Sequence, residues 1–259
     1  MATLFIDDIA VEVEGDGAPV LCIHGLGGSS NTWTPILPAL AGRKVIRLDL
    51  PGSGRSKLPA QALTIEAYVL AVRQVLKALK IESVDILAHS MGTIVAQHFA
   101  VAYSDSVTSL VLFGPLVAPP EPARPAIRAR AELARQGAEK VQEIADAIVA
   151  GATSKETKAS NPMALTLVRE SVMRQPPEGY AQSCEALASA QSAPIEEIAV
   201  PTLLVTGDQD GVAPAANVNA MAQRIRGSKV LVLEGCGHWT TFEKTDACIK
   251  AIKEALSNN

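Results

Sequence analysis

The sequence predicts an α/β fold: a mostly parallel eight-stranded sheet flanked by helices, with a helical lid inserted after the sixth strand. Three observations predict it. Short apolar runs rich in branched residues alternate with segments whose apolar residues recur every three or four positions. The alternation stops once, between about residues 116 and 194, where only helical patterns occur. The composition, 48% hydrophobic and 19% charged over 259 residues, is that of a globular chain able to bury one large core carrying an insertion.

The first two runs, 3–6 and 9–13, flank Asp7-Asp8 and read as a hairpin. Runs at 19–23, 44–48, 84–88 and 107–113 follow, then 202–206 and 229–233. Continuous apolar runs suit strands covered on both faces, as in a parallel sheet. Helical spacing marks 65–79, where Ile65, Tyr68, Val69, Val72, Val75, Leu76 and Leu79 share one face. It also marks 91–102, 215–226 and 242–256. Strands alternating with helices imply right-handed crossovers. After the sixth run, a proline-rich hinge over 115–125 leads into helical patterns at about 125–150, 164–174 and 179–192. The expected division is a core of 1–115 and 195–259 and a lid of 116–194. The lid carries nine basic and nine acidic residues, so the net charge of −4 resides in the core.

That charge argues against a nucleic-acid binder, which needs a basic surface. The start of the chain lacks a basic region, and Asp7 and Asp8 interrupt its apolar stretch, so no secretory signal is read there. Residues 86–104 form a 19-residue run free of Asp, Glu, Lys and Arg. The polar His89, Ser90, Gln97 and His98 make it a buried strand running into a buried helix, not a membrane span. Cys22, Cys184, Cys236 and Cys248 show no metal-binding spacing. A cytoplasmic location with free thiols is the expectation. The oligomeric expectation is a monomer or small homo-oligomer.

The sharpest chemical signal is Ala88-His89-Ser90-Met91-Gly92, where a strand must turn abruptly into a helix. It matches the nucleophile-elbow pattern G-x-S-x-G, with alanine at the first position. A serine hydroxyl needs an adjacent base, and the base needs an orienting acid. Of four histidines, His24 opens His-Gly-Leu-Gly-Gly and suits loop bracing. His89 should point away from Ser90, and His98 suits packing. His238, in Gly-Cys-Gly-His-Trp after the last strand, is the expected base. Asp208 and Asp210 both follow the seventh strand, and either suits a turn or cap. Asp210 is favoured as the acid and Asp208 as the turn former. The amides of Met91, opening a helix, and Leu26, in a glycine-rich loop, are the expected oxyanion donors.

These motifs together resemble the α/β-hydrolase family, in the order Ser90, Asp210, His238. Asp49-Leu-Pro-Gly-Ser-Gly-Arg-Ser56 is similar to the family's D-x-x-G-x-G-x-S turn. Within the family, the segment Glu178-Gly-Tyr-Ala-Gln-Ser-Cys-Glu-Ala-Leu187 resembles 3-oxoadipate enol-lactonase-like hydrolases. Their elbow carries a second glycine where this chain has Thr93.

The expected function is a serine hydrolase that cleaves a small carboxylic ester or lactone, an enol-lactone among them, through an acyl-enzyme on Ser90. No cofactor or metal is called for. C–C bond hydrolysis and perhydrolysis use the same three side chains. A slow-turnover ligand receptor is the reading from another class. Haloalkane dehalogenase or epoxide hydrolase chemistry would require aspartate at position 90. Arg124 and Arg128, with Arg135 at helical spacing and Arg130 nearby, are expected either to hold a substrate carboxylate or to form a solvated face. Trp33, Tyr180 and Trp239 are expected in the pocket or in the core.

Overall fold

The computed structural model describes residues 2–257. Met1, Asn258 and Asn259, which the predicted core ranges include, lie outside the described residues. Eight strands form one sheet: β1 (Ala2–Ile6), β2 (Ile9–Glu14), β3 (Pro19–Ile23), β4 (Lys44–Leu48), β5 (Val84–His89), β6 (Val107–Phe113), β7 (Thr202–Gly207) and β8 (Lys229–Leu233). Their spatial order is β1-β2-β4-β3-β5-β6-β7-β8. β1 and β2 pair antiparallel, as do β2 and β4, and every other pair is parallel. Asp7 and Asp8, at φ 46° and 65°, make the tight turn between β1 and β2. Two consecutive positive φ values match the right-handed twist of a hairpin.

The core helices are α1 (Ile65–Ala78), α2 (Met91–Ala102), α8 (Ala215–Arg224), α9 (Thr240–Glu243) and α10 (Thr245–Leu256). Between β6 and β7 the chain forms α3 (Arg124–Ala134), α4 (Ala138–Ala152), α5 (Lys155–Ser160), α6 (Pro162–Met173) and α7 (Pro177–Ser189). The sheet is covered on both sides. One apolar cluster joins Leu21, Ile23, Ile86 and Leu112 to α1, α2 and α8. A second joins Val20, Leu87, Val111 and Phe113 to α10 and to a 3-10 stretch at Ser30–Leu40. The α3–α7 helices have their own cluster around Val141, Val168 and Tyr180, which also takes in Trp239 and Phe242.

Several boundaries differ from the periodicity reading, each for a local reason. The segment 125–150 is two helices, because Gly137 turns to φ +117° between α3 and α4. The segment 242–256 is also two, broken at Lys244 beside Glu243, whose carboxylate is turned back into the preceding loop. The Ser30–Leu40 stretch contains Pro35 and Pro38, which deny it α-helical hydrogen bonds and its apolar pattern a clear period. β8 is an edge strand, with Val232 41% exposed, so its apolar run does not report burial on both faces. Among the described residues, no helix is long and apolar enough to cross a membrane.

Candidate active site

β5 ends at His89 and α2 begins at Met91, so Ser90 alone must reverse the chain. Its backbone sits at φ 51°, ψ −122°, a sparsely populated region for a residue with a side chain. Small neighbours make the turn possible. A Cβ on Gly92 would lie 2.5 Å from the carbonyl oxygens of both Ile23 and His24. A Cβ on Gly25 would lie 2.7 Å from that of Ser90.

The elbow aims Ser90 Oγ at the imidazole of His238. The hydroxyl donates to Nε2 at 2.8 Å, and Nδ1 donates to Asp210 Oδ2 at 2.8 Å. Asp210 Oδ1 accepts from the amides of Val212 and Ala213, both at 2.8 Å. Burial pushes the Asp210 carboxyl up. The charge and hydrogen bond of His238 and the two amides outweigh it and hold the carboxyl down at about 2. Asp208 stands apart from this line and accepts from the Cys236 amide at 3.1 Å, holding the loop that carries His238.

Leu26 lines the same cavity as Ser90, and Met91 follows Ser90 in the chain. Met91 opens α2, where the first amides have no partner within the helix. The Leu26 loop turns through a Gly28 N–H to Gly25 carbonyl bond of 3.0 Å. It is clamped from above by α6, where Ser171 Oγ donates to the Gly27 carbonyl (2.8 Å). Gln175, just past α6, donates to the Gly28 carbonyl (3.0 Å). Tyr180 packs against the same loop, 3.4 Å from where a Gly27 Cβ would lie.

A cavity of about 660 Å³ opens from Ser90 and His238 between the sheet edge and the α3–α4 pair. Leu26, Leu116, Ile127, Leu133, Ile148 and Trp239 supply much of its apolar wall. Arg130 and Glu143 are the charged side chains that line it among the described residues.

Four of the five expected substrate residues do not line this cavity. Trp33 is fully buried beneath the sheet, edge-on to Phe113 at 6.1 Å, because its stretch packs on the opposite face from α2. Arg124 is buried and spent on structure. It donates to the carbonyls of Ala188 (2.6 Å) and Ala190 (3.0 Å) and pairs with Glu121, tying α3 to the end of α7. Arg128 is exposed and off the cavity wall. Tyr180 supports the Leu26 loop from the core of the helical segment. Arg135 is engaged by Glu132, Glu178 and Glu185. Trp239 does line the cavity, and the cation that reaches it is Arg130.

Other histidines take supporting parts. The Leu50 amide donates to His24 Nε2 (2.8 Å), leaving the Nδ1 proton for the Gly25 carbonyl (2.8 Å), so His24 braces the turn. His98 is half-buried and reaches the Gln191 carbonyl at 3.0 Å. His89 lies at a tilt between the rings of His238 (centroids 5.0 Å apart) and Trp239 (5.3 Å), and donates from Nε2 to the His238 carbonyl at 2.9 Å. Thr93 was visible in the sequence only as a departure from glycine. Its hydroxyl donates to the Ser90 carbonyl (2.6 Å) and accepts from the Leu116 amide (3.1 Å), tying the elbow to the cavity wall.

Burial, then the neighbouring His238, lowers His89 from 6.5 to about 3. Between those values the unfolded chain takes up a proton here and the folded chain does not, so stability falls as pH falls. The full difference is on the order of 4–5 kcal/mol. A His89→Gln variant should therefore lose stability less steeply than the parent between pH 6.5 and 3 in urea unfolding. Parallel curves for the two proteins would remove the assignment.

The α/β-hydrolase fold family model matches residues 18–245, and the chain belongs to that family. The chain is similar over nearly its whole length to solved hydrolase structures. It covers 93% of a thermophilic esterase from Thermogutta terrifontis, with 96% of this chain aligned, 28% identity and a TM-score of 0.91. It covers all of the enol-lactonase from Burkholderia xenovorans LB400, with 99% of this chain aligned, 25% identity and a TM-score of 0.90. A 2-hydroxy-6-oxo-2,4-heptadienoate hydrolase of Pseudomonas putida is 26% identical over 94% of this chain and 90% of its own length. An uncharacterized protein of Mycobacterium tuberculosis is 39% identical over 104 residues, a match spanning 40% of this chain and 30% of that protein.

Proposed function

We propose that the chain is a serine hydrolase of small carboxylic esters or lactones, with the helical segment 116–194 acting as a lid over the site. The observation that carries this reading is the line Asp210–His238–Ser90, two hydrogen bonds of 2.8 Å, opening onto a largely apolar cavity. Ser90 Oγ attacks the carbonyl carbon while His238 Nε2 takes its proton. The amides of Leu26 and Met91 hold the developing oxyanion. His238 returns the proton to the leaving oxygen, and the acyl group stays on Ser90. Water then attacks the acyl carbon, giving its proton to His238, and the acid leaves as Ser90 regains its hydrogen.

Arg130 favours a substrate with an anionic tail, since a half-buried guanidinium in an apolar wall binds a carboxylate strongly. Glu143, the other charge in the wall, is taken up by Lys140 at 2.5 Å. The name of the dienoate hydrolase fits the same preference. The test is a panel of aryl esters, neutral aliphatic lactones and an anionic enol-lactone, assayed with the parent and with Ser90→Ala. Turnover should fall at least about 10³-fold in the variant. The anionic lactone should show a lower KM than a neutral one of equal size. Full activity in Ser90→Ala would overturn the reading. A single burst without further turnover in the parent would favour the receptor reading.

A further inference from the structure

Glu243 is 6% exposed, and the four hydrogen-bond partners of its carboxylate are all donors. Oε2 accepts from the Ser154 amide (2.8 Å), the Thr157 hydroxyl (2.9 Å) and the Gly237 amide (3.0 Å). Oε1 accepts from the Trp239 amide (3.0 Å). Gly237 and Trp239 are the residues on either side of His238. The remaining backbone groups there are also engaged. The His238 amide donates to the Ala152 carbonyl at the end of α4 (2.9 Å), and its carbonyl accepts from His89. Gly237 has no space for a side chain, since a Cβ would lie 2.7 Å from the Ala152 carbonyl oxygen and 2.8 Å from Glu243 Oε1.

We propose that Glu243 is a positioning residue for His238 that also fastens the α4–α5 junction to the loop carrying it. This rests on the reading of His238 as the base. Loop and helical segment share one acceptor, so the reach of the imidazole to Ser90 and the seating of α4 over the cavity are set together. Only a group that accepts on both oxygens satisfies these partners. An amide of the same shape would set an N–H₂ against N–H donors on one side.

The experiment compares Glu243→Gln, Glu243→Asp and Thr157→Val with the parent, on the best substrate of the panel. For Glu243→Gln, kcat should fall about 10- to 100-fold with KM within threefold, as for a displaced catalytic group. Glu243→Asp, which keeps both acceptors, should recover part of that loss. Amide exchange at Gly237 and Trp239 should quicken at least tenfold in Glu243→Gln. That measurement needs no substrate, so it separates failure of this proposal from failure of the hydrolase reading. Thr157→Val removes the hydroxyl's bond to Glu243 and the one it accepts from Ser154 Oγ (2.9 Å), both on the helical side, and should cost kcat a smaller factor, about three- to tenfold. It decides the matter if Glu243→Gln does not fold. Unchanged kcat in the folded variants, a loss confined to KM, or unchanged exchange at both amides would overturn the assignment.

Discussion

His238→Ala is expected to lower kcat by on the order of 10⁴- to 10⁶-fold, and adding Ser90→Ala should cost almost nothing more. The geometry explains both statements. Ser90 and His238 share a single hydrogen bond of 2.8 Å, so neither group has a separate route to the reaction. Without the imidazole the hydroxyl keeps its proton, and without the hydroxyl the imidazole has nothing to activate. Asp210→Asn should also fall steeply, by roughly 10⁴-fold, and for a distinct reason. The amides of Val212 and Ala213 both donate to Asp210 Oδ1. They would hold the oxygen of an asparagine and turn its N–H₂ toward His238. Nδ1 would then have to accept, leaving the proton on Nε2, the atom that must receive one from Ser90. Steady-state kinetics of the three single variants and the Ser90/His238 double variant decide this. Losses that multiply in the double variant would show independent action and defeat the assignment.

These three residues were legible in the sequence because each lies where a strand pattern ends. Ser90 sits between an apolar run and a helical period. Asp210 and His238 follow the two late strands, and in a parallel sheet such ends share one edge. Periodicity also located all eight strands and the interruption after β6. It could not say what a buried face packs against. Trp33 is apolar and near the early loop, yet it faces the far side of the sheet. Arg124, Arg128 and Arg135 keep helical spacing, yet one is tied to α7, one is exposed and one is held by three glutamates. Arg130 reaches the cavity because of how α3 is rotated against α7, which depends on the whole interface. Glu243 left no local trace, since two of its partners, Ser154 and Thr157, are 89 and 86 residues away.

Gly114→Ala is the second change expected to have a large effect, through space and not through chemistry. Gly114 follows β6 at φ +55°, held by its amide's bond to the Val205 carbonyl (2.8 Å). A Cβ there would lie 2.8 Å from His238 Cε1, 2.9 Å from Nδ1 and 3.5 Å from Asp210 Oδ2. The imidazole must give way, and a shift of about 1 Å in a reacting group can cost roughly 100-fold in rate. The expected result is therefore a kcat lowered about 100-fold with KM little changed. The left-handed backbone adds a stability cost of about 1–2 kcal/mol for any side chain at this φ. Gly42 separates the two effects. It lies at φ +80° with no atom within 4 Å of its would-be Cβ. Gly42→Ala should lose similar stability in urea unfolding and keep its kcat. Equal kcat in the two alanine variants would mean that His238 has room to spare, and that position 114 does not shape the site.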